Sequence, residues 1–291
     1  MNGNGNGVWL RGNLHMHTAR SDGALSYEEA IGLYEKGGYD FVAVTDHWVV
    51  SEAATTPGGM ILLSGCEYNV GRIVRDGIYH IVGIGMKEAP VLEKNDPDLH
   101  VQGIIDAIVQ QGGIAILAHP AWSLNSADKV AKLHGLSGTE IFNATSGFPR
   151  NVRPYSGLFV DQLASQGMLL PCVAADDAHQ YDNDAQRGWI MLYAKEKSHD
   201  AILEAIREGN YYATEGPEMF VRREQEKLYV TCSPAQHIVF YSDDTWNPER
   251  VFSADGITEA EYTIWHQDSY VRIEVIGRDG KRAYSSPVPA R

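Results

Sequence analysis

His15-Met16-His17 stands at the end of a strand-like run, Val8–Leu14. In a strand, residues i and i+2 point to the same side, so two imidazoles converge on one point. Neutral imidazole is the commonest protein ligand for divalent transition metals. An HxH pair alone is compatible with two exposed polar residues. Here it is followed by Ser21-Asp22-Gly23, Thr45-Asp46-His47, Gly65-Cys66-Glu67, His80, His119-Pro120 and Asp176-Asp177-Ala178-His179. Each lies in, or within a few residues of, an apolar run of strand length. Five independent strand ends carrying ligand types are poorly explained by chance.

Such residues meet only if strands bring them to one edge. Apolar runs predict strands at 41–45, 60–64, 79–85, 114–118, 139–142, 170–174 and 189–193. Helices are expected between them. Ser26 with Glu29 makes a capping box for a helix to about Glu35, stopped at Gly37-Gly38. Segments 102–111, 156–165 and 198–208 have helical apolar spacing. Alternating strands and helices predict an α/β domain with a mostly parallel sheet, whose C-terminal strand ends share one face where sites are built. After about Pro217 the helical period disappears. Runs at 220–222, 227–232, 237–241, 261–266 and 270–276 read as a small all-β unit. The expected organisation is a flexible Asn/Gly lead-in over 1–7, an α/β domain over 8–216 and a β appendage over 217–291.

The 291 residues carry 38 acidic and 24 basic side chains, a net charge of −14. Residues 1–216 hold 26 acidic and 15 basic groups and nine of the 11 histidines. Acidity and histidine thus travel together. The sign argues against a nucleic-acid or anionic-membrane surface, and no run reaches the apolar length of a membrane helix. The three cysteines are sparse and unpaired by spacing, which favours a reducing, cytoplasmic setting. Met1–Gly7 lacks the basic and apolar regions of a signal peptide.

The ordered motifs from His15-Met16-His17 to Asp177-Ala178-His179 resemble those of the PHP (polymerase and histidinol phosphatase) family. Gly12–His47, Val173–His179 and Arg207–Pro217 resemble its CehA/McbA-like branch. The resemblance covers residues 8 to about 217. It implies an irregular seven-stranded β/α barrel with two or three divalent ions, Zn, Mn or Fe, at the C-terminal strand ends. By position, His15, His17, Glu67 and Asp177 would hold the first ion. Glu67, His80 and His119 would hold the second, with Glu67 bridging, and Asp22, His47 and His179 the third. Asp46 and Asp176 would orient neighbouring imidazoles.

The implied activity is metal-dependent hydrolysis by a bridging hydroxide, most naturally of a small-molecule phosphoester. Asp177 would handle the water proton, and His179 is a candidate donor to the leaving group if the third ion is absent. Carboxyl or carbamate ester hydrolysis and a non-catalytic metal-binding role are the alternatives. Arg20, Arg153 and Arg187 are the basic groups placed to meet a phosphate. Trp48, Trp122 and Trp189 could line a pocket but read more simply as core, as does Cys66 beside Glu67.

Overall fold

The computed structural model describes residues 7–75, 77–246 and 248–291, so the lead-in lies, apart from Gly7, outside the described residues. The first part of the chain runs β1 (Val8–Asn13), α1 (Tyr27–Lys36), β2 (Phe41–Ala43), β3 (Ala54–Thr55), β4 (Ile61–Leu63), β5 (Gly65–Val70) and β6 (Tyr79–Ile84). It continues with α2 (Val101–Gln110), β7 (Ile114–Leu117), α3 (Ala127–Val130), β8 (Leu136–Asn143), α4 (Gly157–Ala164), β9 (Cys172–Ala175), β10 (Trp189–Ala194), α5 (His199–Arg207) and β11 (Tyr211–Thr214). The capping box at α1 is present in full. Ser26 Oγ accepts from the Glu29 N–H, and the Glu29 carboxylate accepts from the Ser26 N–H. α2 buries Ile104, Ile105 and Ile108.

Among the described residues the strands form two sheets. One is β5-β6-β7-β8-β9; the other contains β3-β4-β2-β1-β10-β11 and continues into the C-terminal strands. The sheets also touch through isolated bridges between Met16 and Ala178, His47 and Glu67, and Ser51 and Gly65. One apolar cluster draws on both sheets. Leu10, Phe41, Leu63, Val82, Ile116, Val173 and Leu192 all belong to it. A single seven-stranded ladder is not what the hydrogen bonds draw: β4 and β5 belong to different sheets although only Ser64 separates them.

The pairing is mixed rather than mostly parallel. β1–β2, β2–β4, β7–β8 and β8–β9 are parallel. β1–β10, β10–β11, β3–β4, β5–β6 and β6–β7 are antiparallel. α5 shows why a helix between strands need not impose a crossover. Its Ala201, Ile202, Ala205 and Ile206 enter the cluster shared by both sheets, and it packs on both β10 and β4. It spans the end of the strands instead of running back along them. β11 therefore starts where β10 stopped and pairs with it antiparallel.

The C-terminal strands are β12 (Met219–Glu224), β13 (Lys227–Tyr241), β14 (Val251–Thr263), β15 (Tyr270–Ile276), β16 (Arg282–Tyr284) and β17 (Val288–Pro289). The separate runs at 227–232 and 237–241 are one strand, β13, with register shifts against β14 between them. The run at 261–266 is the end of the longer β14. β16 pairs with β11, so hydrogen bonding is continuous between the two parts of the chain. A buried ion cluster reinforces this join. Arg272 of β15 donates from Nε and Nη2 to Asp161 of α4 at 2.6 and 2.7 Å, and from Nη1 to Glu274 at 2.6 Å. No helix among the described residues is long and apolar enough to cross a membrane.

Candidate metal centre

The backbone ladder that ends β1 and β9 continues past them. The Asp177 N–H donates to the His15 carbonyl at 2.8 Å, and the His17 N–H to the Ala178 carbonyl at 3.0 Å. Met16 turns into the apolar core while His15 and His17 face the opposite side, as strand alternation requires. His47 and Glu67 arrive on neighbouring segments through their parallel bridge. His80 comes from β6, and His119 follows β7 directly. Asp177 (φ 53°) and His119 (φ 29°) have left-handed backbone, a conformation costly for side chains with a Cβ and concentrated at functional sites.

These side chains converge. His15 Nε2 lies 3.1 Å from Asp177 Oδ1 and 3.4 Å from Glu67 Oε2; His17 Nε2 lies 3.0 and 3.3 Å from the same atoms. Glu67 Oε2 is also 3.0 Å from His47 Nδ1, while its Oε1 is 2.9 Å from His80 Nδ1 and 3.4 Å from His119 Nε2. Asp22, half exposed, stands 3.5 Å from His179 Nε2, 3.6 Å from His17 Nδ1 and 3.8 Å from His47 Nε2. Three groups have ligand atoms close enough to share an ion: His15, His17, Glu67 and Asp177; His47, Glu67 and His80; and His17, Asp22, His47 and His179. All nine positions expected from sequence thus lie in one cluster. The grouping differs in detail, because His17 and His47 each reach two groups and His119 approaches through Glu67.

The electrostatics call for positive charge. Burial alone would raise the Glu67 carboxyl, but His15, His80 and His119 hold it well below its ordinary range. Asp177 is likewise lowered against its burial by His15 and His17. In return, and against their own burial, His15 is raised well above its usual value by Asp177 and Glu67, and His17 is raised to about 9. Burial pushes His47 the other way, to about 4. Imidazolium protons can supply the missing charge, and so can a divalent cation placed where the lone pairs converge.

Two observations test the fit of a metal. Asp177 Oδ1 is buried with no hydrogen-bond partner although three imidazole nitrogens surround it, and His47 Nδ1 is buried and unpartnered too. Buried polar atoms are normally satisfied, so convergent orphans are what a coordination site requires. The tautomers also suit ligation. His15 Nδ1 meets Glu140 Oε1 at 2.7 Å, and His179 Nδ1 meets the Asp177 carbonyl at 2.7 Å. Both partners only accept, so each Nδ1 donates and Nε2 keeps its lone pair for the cluster. A set of imidazoles and carboxylates without thiolate suits Zn, Mn or Fe. Cys66 stays outside it, its thiol pushed up to about 12 by burial.

Glu140 was not anticipated. Its Oε1 receives His15 Nδ1, and its Oε2 accepts from the His119 N–H at 2.8 Å and the Asn143 amide at 2.7 Å. One carboxylate therefore braces both His15 and His119. The signal was a carboxylate inside the otherwise uncharged run Thr139–Phe142. Asp46 and Asp176, expected to hold imidazoles, do something else. Asp46 accepts from the Thr18 N–H and from the Thr18 and Ser21 hydroxyls. Asp176 accepts from the Tyr34 hydroxyl and the N–H groups of Gln186, Arg187 and Gly188. They fix the loops that carry the ligands rather than the rings.

The cluster opens into a cavity of about 210 Å³ whose other walls are Trp122, Thr145, Ser146 and Asn151. Trp122 is therefore a wall of the site, its ring 5.0 Å from that of His119. None of the three arginines is in this lining. Arg20 stacks on Tyr27 at 3.7 Å, Arg187 is exposed and gives its backbone N–H to Asp176, and Arg153 lines a neighbouring cleft.

No family model and no curated protein matches the chain by sequence. Solved structures do match. A two-domain protein from Bacteroides vulgatus, containing a domain predicted to be a PHP-like metal-dependent phosphoesterase, aligns with a TM-score of 0.55 and 16% identity over 97% of this chain and 96% of its own. An amidohydrolase from Chromobacterium violaceum with bound sulfate aligns over 60% of this chain and 89% of its own at 18% identity, with a TM-score of 0.43. A candidate metal-dependent phosphoesterase from Bifidobacterium adolescentis aligns over 58% and 87% at 16% identity, also with a TM-score of 0.43. Along nearly its whole length the chain shares the fold of the Bacteroides vulgatus protein.

Proposed function

We propose that this protein is a metal-dependent hydrolase of the PHP type, of the CehA/McbA-like branch, acting on a phosphodiester of a small molecule. The observation that carries the reading is the orphaned Asp177 Oδ1 at the meeting point of His15, His17 and His179. His15, His17, Glu67 and Asp177 would hold one divalent ion. Glu67 and His80, with His119 behind them, would hold a second, and Asp22, His47 and His179 a third. Bound there, such ions supply Lewis acidity and lower the pKa of a coordinated water.

The chain's own residues do the rest. Asp177 Oδ2 lies 3.9 Å from His119 Nε2 and accepts from the Asn143 amide at 3.2 Å, so Asn143 holds the carboxylate in place as it receives a proton from the attacking water. With the third position empty, a protonated His179, its Nδ1 committed to the Asp177 carbonyl, would present Nε2–H to the cavity as donor to the leaving oxygen; with a third ion bound, the same Nε2 would be a ligand instead. Trp122 walls off water on one side. A lining without arginine suits a monoanionic diester better than a dianionic monoester. The same lining favours a second reading, a neutral carboxyl or carbamate ester.

Turnover of bis(p-nitrophenyl) phosphate, p-nitrophenyl phosphate and an aryl carbamate by the metal-loaded protein separates these. The diester should be fastest. Exclusive turnover of the carbamate replaces the phosphoesterase reading by the second. Stoichiometric metal with no turnover of any ester makes the protein a non-catalytic metal binder.

A further inference from the structure

Beside the metal cavity lies a second, larger cleft of about 440 Å³. The two share no lining residue, yet the same two segments build both. His119 and Trp122 face the metal cavity, while Pro120, Ala121 and Leu124 face the cleft. Thr145, Ser146 and Asn151 face the cavity, while Val152, Arg153 and Tyr155 face the cleft. The partition is a single pair: Trp122 Nε1 donates to Asn151 Oδ1 at 3.0 Å. Across the cleft Ala121 N–H donates to Ser156 Oγ at 3.2 Å, which ties the two segments together behind it.

The cleft walls are apolar and exposed. Leu124, Val152 and Leu158 are 49%, 64% and 74% exposed. Isolated exposed apolar residues are ordinary, but several around one concavity of ligand size mark a binding site. Arg153 is the one charged residue in the lining among the described residues. Its backbone N–H donates to the Ser146 carbonyl at 2.8 Å, which fixes the residue at the rim. Its guanidinium has neither an ion pair nor a hydrogen bond among the described residues.

We propose that this cleft receives the non-reacting arm of the substrate: an apolar body ending in a carboxylate or similar anion that pairs with Arg153. The apolar walls supply area, and the guanidinium supplies a charge-assisted hydrogen bond with directional preference. The reacting ester would then sit across the Trp122–Asn151 partition, and the pair would set how long an arm must be to reach both. The assignment to a substrate arm rests on the hydrolase reading; the affinity of the cleft for an apolar anion does not.

The test uses 4-phenylbutyrate as probe and calorimetry on the full chain, both as isolated and after chelator treatment. The probe should bind equally in both states. Arg153→Met and Leu158→Asp should each weaken it about tenfold, and Val91→Asp, on a residue 96% exposed and outside both cavities, should not. All variants should melt as the parent does, since Arg153 and Leu158 are exposed. Absence of binding, loss of binding on chelation, or indifference to both substitutions overturns the cleft as an anion site. A second comparison sets a methyl-armed diester against one with a carboxyphenylalkyl arm. Leu158→Asp should reduce kcat/KM for the long arm about tenfold more than for methyl. An unchanged preference with weakened probe binding overturns the substrate-arm assignment alone.

Discussion

Two clusters of buried charge hold this molecule, and they are built on opposite terms. At the join of α4 and β15, Arg272 is spent entirely on its neighbours. Its guanidinium pairs with both oxygens of Asp161, bonds Glu274 and lies 3.9 Å over the Tyr241 ring. Around Glu67 and Asp177 no guanidinium or ammonium of the described residues enters, several imidazoles crowd two carboxylates, and Asp177 Oδ1 and His47 Nδ1 are left without hydrogen bonds. A buried charge that closes on itself is structural. A buried charge left open, at the price of strained backbone at His119 and Asp177, is a site awaiting a partner.

The contrast can be broken from either side. The largest effect is expected at the open cluster. Glu67→Ala removes the one carboxylate that faces His15, His17, His47, His80 and His119, and turnover should fall by about 10³-fold or more. Retained turnover would remove Glu67 from its bridging position. At the closed cluster, Arg272→Met leaves Asp161 without its cation and Glu274 with Arg282 alone. Urea unfolding should show a loss of about 3–5 kcal/mol with turnover per folded molecule unchanged; an unchanged midpoint would mean the cluster contributes nothing.

A smaller effect is expected behind the ligands. Glu140→Gln keeps an acceptor for His15 but not the charge, and should weaken metal affinity about 10- to 100-fold by competition with a chelator. The smallest lies next to the closed cluster. Burial pushes the Glu215 carboxyl up to about 7, against hydrogen bonds from Tyr284 and Tyr155. A carboxyl raised in the folded state binds more protons there than in the unfolded chain. Its contribution is therefore most favourable below pH 4.5 and is lost as pH rises through about 7. Glu215→Gln should gain on the parent over that window by about 2–4 °C in Tm, and a gap independent of pH would contradict the shift.

The nine clustered side chains were legible because their types are rare in apolar strands and each sits at a strand end, where an α/β fold gathers residues distant in sequence. Glu140 was not, because a carboxylate within a short strand reads as the exposed half of an alternation; only the fold shows both faces of β8 covered. Asp46 and Asp176 are adjacent to ligands in sequence, and adjacency does not say which way a side chain turns. Most strands of the first part were placed to within a residue or two; the exceptions are β8, which starts three residues early at Leu136, the unexpected β3 (Ala54–Thr55), the continuation of Gly65-Cys66-Glu67 past Ser64 as β5, and β11 at Tyr211–Thr214. Strand direction was misjudged because periodicity reports that a helix exists, not that α5 lies across the end of the strands. The arginines near strand ends could be named, but the Trp122–Asn151 partition that assigns Arg153 to another cleft is a tertiary contact with no local signature.

The central claim is that the open cluster is a divalent-metal centre. Equilibrium dialysis of the chelator-treated protein against Zn²⁺ or Mn²⁺, followed by elemental analysis, tests it without reference to any substrate. Two or three ions retained per chain is the result expected; less than one ion per chain would contradict it.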